Sequence, residues 1–487
     1  MGVLSGLEPS KVFTFFEEIT QIPHGSGNVD AISDYLVDFA KKRKLEYIQD
    51  DVKNVIIIKE ATPGYEQEPA VILQGHMDMV AVHKPELDID MTKEPLQLGI
   101  CGDRVYAEGT SLGGDDGIAV AYALALLDDD TLKHPRLEVV ITVDEEVGMD
   151  GARAIDLSML QGHRMLNLDS EEEGIFLTSC AGGAQMDCIL DLSQRRKLMT
   201  GTEYELVIGG LQGGHSGAEI HKERGNSNML MARFLQRIVA SIKLGLYSCQ
   251  GGLADNAIPR VTTARILVEE ADETVLKQLA AEYGKILQQE LATKDPGVSV
   301  TLTKLGMKTA ECINGEALQK AMDYLYSLPC GVQAMSADVP GLVETSLNLG
   351  ILEISEGKVS TAFSVRSCVE SSKQALLDKV QALTALAGGC CKVTGDYPGW
   401  AYRVDSPLRE KMISLYEEMY GEKPQVEAIH AGLECGILSA KIEDLDCISF
   451  GPNMYDIHTT EETLSIASTK RVWDYLVRLL ALKDDPV

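Results

Sequence analysis

Basic residues are scarce in this 487-residue chain: 44 lysines and arginines stand against 74 acids, for a formal charge of −30. That balance repels phosphate backbones and anionic membrane surfaces, which argues against nucleic acid and membranes as partners. No run of about 18 apolar residues occurs, so no membrane-spanning helix is expected. Residues 1–10 lack the basic and apolar segments of a signal peptide. Eleven cysteines, an odd number, show no tight spacing beyond Cys390 and Cys391, which excludes a secreted disulfide framework and a CxxC zinc ribbon. Tracts rich in Pro and Ser are absent, as is any repeat with a period of roughly 20–50 residues, so neither disorder nor a solenoid is indicated. The expectation is a soluble, untargeted protein of a reducing cytoplasm.

What is present is an ordinary globular composition, 45% hydrophobic and 24% charged, at a length that exceeds what one core usually supports. Val12, Phe16, Ile19 and Ile22, then Ile32, Leu36 and Phe39, recur at helical spacing and predict an N-terminal helical pair. Short apolar runs at 55–58, 70–73, 137–143 and 165–168 alternate with a helix over 118–127, the pattern of an α/β layer whose buried sheet is largely parallel. After about Ala181 the character changes. Strands at 186–192 and 203–208, a Gly-rich loop at 209–217, a helix over 226–242, a hairpin around Glu356-Gly357-Lys358 and a helix over 372–386 read as an inserted module of two βα-rich halves. From about Tyr397 the first pattern resumes, with a helix starting at Asp405-Ser406-Pro407 and a last helix carrying Val472, Leu476 and Leu479 before a short tail at Asp485–Val487.

Polar residues gather where the apolar runs end. His76 and Asp78 close the run at 70–73, at the carboxyl end where α/β sheets bind ligands, and strand alternation puts both on one side. There the Asp78 carboxylate could orient the imidazole or an attacking water; a structural hydrogen-bonded pair explains them as well. Asp115 and Asp116 follow glycines just before a helix, which suits helix capping or a carboxylate bridging two cations. Asp144-Glu145-Glu146 ends the run at 137–143, either as a solvated acidic turn or as a metal ligand beside a general base. Asp169 ends the run at 165–168, and His458 lies near the far end of the chain. Recurrence of acids and histidines at successive strand ends favours metal: two histidines and three carboxylates, one bridging, would give each of two ions three protein ligands and leave room for water.

Taken together, Gly75-His76-Met77-Asp78, Gly113-Gly114-Asp115-Asp116-Gly117, Thr142 to Gly148, Leu168 to Glu171, Gly213 to Gly217, Asn256 to Arg260 and His430 to Gly436 resemble the aminoacyl-histidine dipeptidases. These are also called cytosol non-specific dipeptidases, and they form a branch of the di-zinc exopeptidases that include aminoacylases and carboxypeptidase G. The resemblance implies an α/β di-zinc exopeptidase-like catalytic domain with a mixed, largely parallel central sheet, built from 1–186 and 398–487. An α+β lid domain at 187–397 interrupts it.

It also implies that His76 and Asp169 bind one Zn²⁺, Glu146 and His458 a second, and that Asp115 bridges them. Glu145 is then the general base, supported by Asp78. Co²⁺ or Mn²⁺ suit similar ligands. His215 would stabilise the oxyanion, Asn256 and Arg366 would bind the substrate's terminal carboxylate, and Gly432 would contribute from the catalytic domain. Strand alternation agrees for Arg366, which shares a face with Ser360, Ala362 and Ser364. The family usually carries Asn where this chain has Asp116. The implied activity is metal-dependent hydrolysis of dipeptides, Xaa-His or broad in specificity. An N-acyl-amino-acid amidohydrolase with the same metal chemistry is the alternative, ahead of a non-catalytic peptide or metal binder. A homodimer is compatible with the resemblance, although no feature of the sequence fixes the oligomeric state.

Overall fold

The computed structural model describes residues 2–484, so the tail at Asp485–Val487 lies outside the described residues. The chain divides into two compact units: Met1–Ser179 with Tyr402–Ala428 and Leu433–Val487, and Cys180–Ala401 with Ile429–Gly432. The first unit is therefore discontinuous in sequence.

Its centre is an eight-stranded mixed sheet in the order Glu46–Gln49, Val55–Lys59, Leu137–Thr142, Val71–His76, Arg164–Asn167, Asp446–Ser449, Ile175–Cys180 and Gln425–Ile429. The runs VIIIK, VILQGH and LEVVIT are buried at every position, as befits strands covered on both faces. Four neighbours, Leu137–Thr142, Val71–His76, Arg164–Asn167 and Asp446–Ser449, run parallel, while Val55–Lys59 joins them antiparallel. Register pairs His76 with Thr142 and Gln74 with Asn167, so the chain leaves three adjacent strands along one edge of the sheet.

Helix Gly114–Asp128 is buried on all sides and packs against helix Ser10–Thr20 and strand Val71–His76. Its Tyr122 ring stacks on Trp473 of the last helix, Ile466–Leu480, at 6.1 Å. Helix Pro407–Tyr420 begins as its sequence predicts: Ser406 caps it by accepting from the Arg409 N–H, and Gly421 closes it at φ 77°. A small four-stranded sheet, Leu98–Cys101, Arg104–Ala107, Thr463–Ser465 and Met454–Tyr455, escaped sequence reading because its strands are two to four residues long. It brackets the loop that bears His458.

The second unit holds one nine-stranded antiparallel sheet rather than two βα-rich halves. Strands Lys197–Gly209 and Ser299–Asn314 pair from Lys197 with Cys312 to Gly209 with Ser299, which stitches early and late segments into a single sheet. Strand Gly182–Asp191 belongs wholly to this unit, so the expected boundary at 186/187 falls inside an element. The hairpin Val343–Ser355/Lys358–Ser367 turns on Glu356 and Gly357, both at positive φ (50° and 79°), the signature of a tight two-residue turn. Helices Ser227–Val239, Glu273–Glu290, Gly315–Ser327 and Glu370–Leu386 add to its core, with Phe234 and Tyr283 stacked at 4.6 Å.

Candidate metal centre

His76 is the last residue of its strand and is almost fully buried. Its Nδ1–H donates to the Asp78 carbonyl at 2.9 Å, which turns Nε2 toward the acids. Asp115 Oδ1 lies 3.1 Å and Asp169 Oδ1 3.6 Å from that Nε2. On the other side of the same carboxylate, Asp115 Oδ2 is 3.1 Å from His458 Nε2, which also has Glu146 Oε1 at 2.9 Å. Asp115 therefore stands between two imidazoles with one oxygen toward each. Ligand atoms of His76, Asp116 and Asp169, of His76, Glu145 and Glu146, and of Asp115, Glu146 and His458 form three groups, each within 4.8 Å.

The backbone beneath is shaped for this. A Cβ on Gly75 would lie 2.5 Å from Asp116 Oδ2, so only glycine lets helix Gly114–Asp128 begin this close to the strand. The Asp78 main-chain oxygen is the nearer partner of His76 Nδ1, and the Asp78 carboxylate flanks it with Oδ1 at 3.5 Å. The carboxylate also accepts from the Glu145 N–H at 3.1 Å, the Glu146 N–H at 3.4 Å and the Ser26 hydroxyl at 2.8 Å, and so fixes the strand-end segment that presents both glutamates.

Electrostatics point to cations. None of Asp115, Glu145, Glu146 or Asp169 pairs with a lysine or arginine among the described residues. Burial raises Glu145 to about 9, with Asp169, Glu434 and Glu146 adding to the rise against His76. Burial likewise lifts Asp169 to about 6. Hydrogen bonds to Asp115 and Glu146 raise His458 to about 10. Burial would lower His76, but bonds to Asp115, Asp169 and Asp78 carry it well above its ordinary value. Asp116 Oδ1 is buried and accepts no hydrogen bond among the described residues. An orphaned acceptor beside acids that burial pushes toward the neutral form belongs to a donor set that divalent ions complete.

Two further acids escaped sequence reading as site residues. Glu434, fully buried, accepts at Oε2 from Gln74 Nε2 and Thr142 Oγ1, both at 2.6 Å, and Asn167 donates to Gln74 at 2.6 Å. This polar chain ties together the three strand ends under His76. Glu462 accepts from the backbone of the loop before Asp115. In sequence it is indistinguishable from a solvated acid, one of the pair Glu461-Glu462.

The remaining named residues lie in the second unit. His215 Nδ1 accepts from the Gly217 and Ala218 N–H groups at 3.2 and 3.1 Å, which places the proton of the neutral ring on Nε2 as a donor. Burial and the Arg366 charge lower its pKa, keeping it neutral. Asn256 is exposed on a loop whose flanking carbonyls, of Asp255 and Ala257, accept from Asn348 Nδ2 at 2.8 and 2.9 Å. Arg366 is 9% exposed; Nη1 donates to Tyr397, Nε has no partner, and no carboxylate faces it among the described residues. Gly432 was expected within the first unit and belongs to the second, because the Ala181 N–H donates to Ile429 and Ala431 and the His430 ring bonds Ser346 Oγ at 2.7 Å.

An α/β sheet with acids and histidines at its strand ends defines a metal-dependent hydrolase in outline. Residues 72–482 match peptidase family M20/M25/M40, and the chain belongs to that family: it is a peptide hydrolase. It is 37% identical over 481 residues to the cytosol non-specific dipeptidase of Escherichia coli K12, covering 99% of each chain. The crystal structure of the aminoacylhistidine dipeptidase of Vibrio alginolyticus matches with a TM-score of 0.94 at 35% identity, over 100% of this chain and 99% of that one. An aminopeptidase from Bacillus cereus, at 15% identity and a TM-score of 0.57 over 98% of both chains, shares the fold. No helix among the described residues is long and apolar enough to cross a membrane.

Proposed function

We propose that this peptidase is a cytoplasmic dipeptidase working with two divalent cations, zinc by preference. His76 and Asp169 would hold one, Glu146 and His458 the other, and Asp115 both. The observation that carries the reading is the Asp115 carboxylate, with each oxygen 3.1 Å from a different imidazole. The high identity to a relative named as a cytosol dipeptidase supports the substrate class and the location.

Bound cations would supply Lewis acidity, acidifying a water and polarising the peptide carbonyl. Glu145 takes the proton of that water and returns it to the departing amine. Asp78 keeps Glu145 in place through the backbone N–H groups it accepts. In the second unit, to which we assign the part of the lid domain, His215 Nε2–H donates to the developing oxyanion. Arg366, a buried cation with no carboxylate facing it among the described residues, takes the substrate's terminal carboxylate with Asn256, and Gly432 lines the peptide. Anchoring that carboxylate at a fixed distance from the cations limits substrate length, which favours short peptides over proteins.

Glu145→Gln tests the base directly. Metal content should stay at the wild-type value while dipeptide turnover falls by roughly 10²–10⁴-fold. Unchanged turnover would refute the assignment, and faster cleavage of N-acetyl-amino acids than of dipeptides would refute the substrate class.

A further inference from the structure

Four residues after His458 stands Glu462, 3% exposed and without a cationic partner among the described residues. Its carboxylate accepts from four successive backbone N–H groups: Oε2 from Leu112 at 2.8 Å and Gly113 at 3.2 Å, Oε1 from Gly114 at 2.8 Å and Asp115 at 3.5 Å. Successive N–H groups aimed at one anion form a concave nest, which requires an unusual backbone path. Gly113 supplies it at φ 69°, and a Cβ on Gly114 would already press on Glu462 Oε1 at 3.2 Å. The loop delivering Asp115 is thus moulded around this carboxylate.

The partner loop is moulded too. His458 sits at φ 61° and Asp456 at φ 52°, left-handed conformations that L residues adopt only when their surroundings hold them. Thr459 Oγ1 donates to the Asp456 carbonyl at 2.6 Å and accepts from the Glu461 N–H at 3.1 Å, and strand Thr463–Ser465 anchors the far end. One side chain therefore joins two segments more than 340 residues apart in sequence, each of which ends in a residue facing the other.

We propose that Glu462 is a positioning residue of the dinuclear centre: it locks the Leu112–Asp115 backbone to the His458 loop so that Asp115 presents one oxygen to each ion. The inference rests on the two-cation reading above. A simpler role, neutralising the start of helix Gly114–Asp128, would make Glu462 matter for stability alone.

The test uses the full-length enzyme and Glu462→Gln, which keeps the shape but replaces one acceptor oxygen by a donor. Gly114→Ala is the second variant, pressing on the clamp from the other side while leaving Glu462 intact. Zinc affinity is measured by chelator competition, the cobalt-loaded protein by its visible absorption spectrum, and the metal-free fold by circular dichroism and thermal unfolding. In both variants zinc affinity should weaken by about 10- to 100-fold, as for other residues that orient metal ligands. The cobalt spectrum should change, kcat should fall with dipeptide KM within about twofold, and excess zinc should restore part of the rate. Folded variants with wild-type zinc affinity and spectrum overturn the proposal, even if less heat-stable. A wild-type protein that takes up no divalent ion overturns the two-cation reading itself, so the two failures are distinguishable.

Discussion

At the scale of single residues, Asp116 stands where the family resemblance read from the sequence implies an amide. Its Oδ2 accepts from the His76 N–H at 3.3 Å, a bond an asparagine oxygen would keep, while Oδ1 is buried and unpartnered. Burial, reinforced by the Asp169 charge, raises its pKa well above the ordinary carboxylate value. A group raised in the folded state contributes stability in acid and loses it as pH climbs through the folded value. Asp116→Asn should therefore stabilise the metal-free protein at pH 8 by on the order of 1 kcal/mol or more, with the gain shrinking toward pH 4. Thermal unfolding across that range checks it; a difference independent of pH would contradict the account. Dipeptide turnover should persist, because the carboxylate proposed to bridge the cations is Asp115.

At the scale of elements, the second unit positions Asn256 through a relay. Asn226 caps helix Ser227–Val239 by accepting from the Asn228 and Met229 N–H groups and donates to the Asn348 side-chain oxygen at 3.1 Å. Asn348, on strand Val343–Ser355, then donates to both carbonyls flanking Asn256. A buried asparagine with all these bonds made holds an exposed loop more firmly than the loop's own short pairing, two residues on each side, could do. Asn348→Ala should raise the dipeptide KM on the order of tenfold, about 1.4 kcal/mol of binding, while kcat stays within about twofold. A loss confined to kcat would instead implicate the reacting groups.

At the scale of the whole molecule, stability in acid depends on His430. Burial, with the Arg366 charge adding to it, lowers its pKa from 6.5 to about 3. The unfolded chain then binds the proton the folded one refuses, so this stability is present above about pH 6.5 and drains away as pH falls toward 3, by up to about 1.4 kcal/mol per pH unit. The two tryptophans fall one to each unit, Trp400 and Trp473, so a Trp473→Phe protein reports the second unit through Trp400 alone. Urea unfolding followed by Trp400 should weaken between pH 7 and 4, and His430→Gln should flatten that dependence.

The sequence by itself determined the α/β pattern of the first unit and the resumption of that pattern after the insert. It also determined the residue types of the candidate metal centre, because buried strands need continuous apolar runs and the chemistry must stand where those runs stop. Tertiary structure alone decided what each polar group does there. Asp78 anchors the Glu145 and Glu146 backbone as well as flanking the imidazole, whose Nδ1 is closest to the Asp78 carbonyl. Glu462 and Glu434 read as ordinary acids until folding buries them against N–H groups and side chains far away in the chain. The single sheet of the second unit was likewise hidden, because pairing between residues about a hundred positions apart leaves no local signal. Local periodicity records which face a residue shows; the partners it meets depend on contacts that only the folded chain brings together.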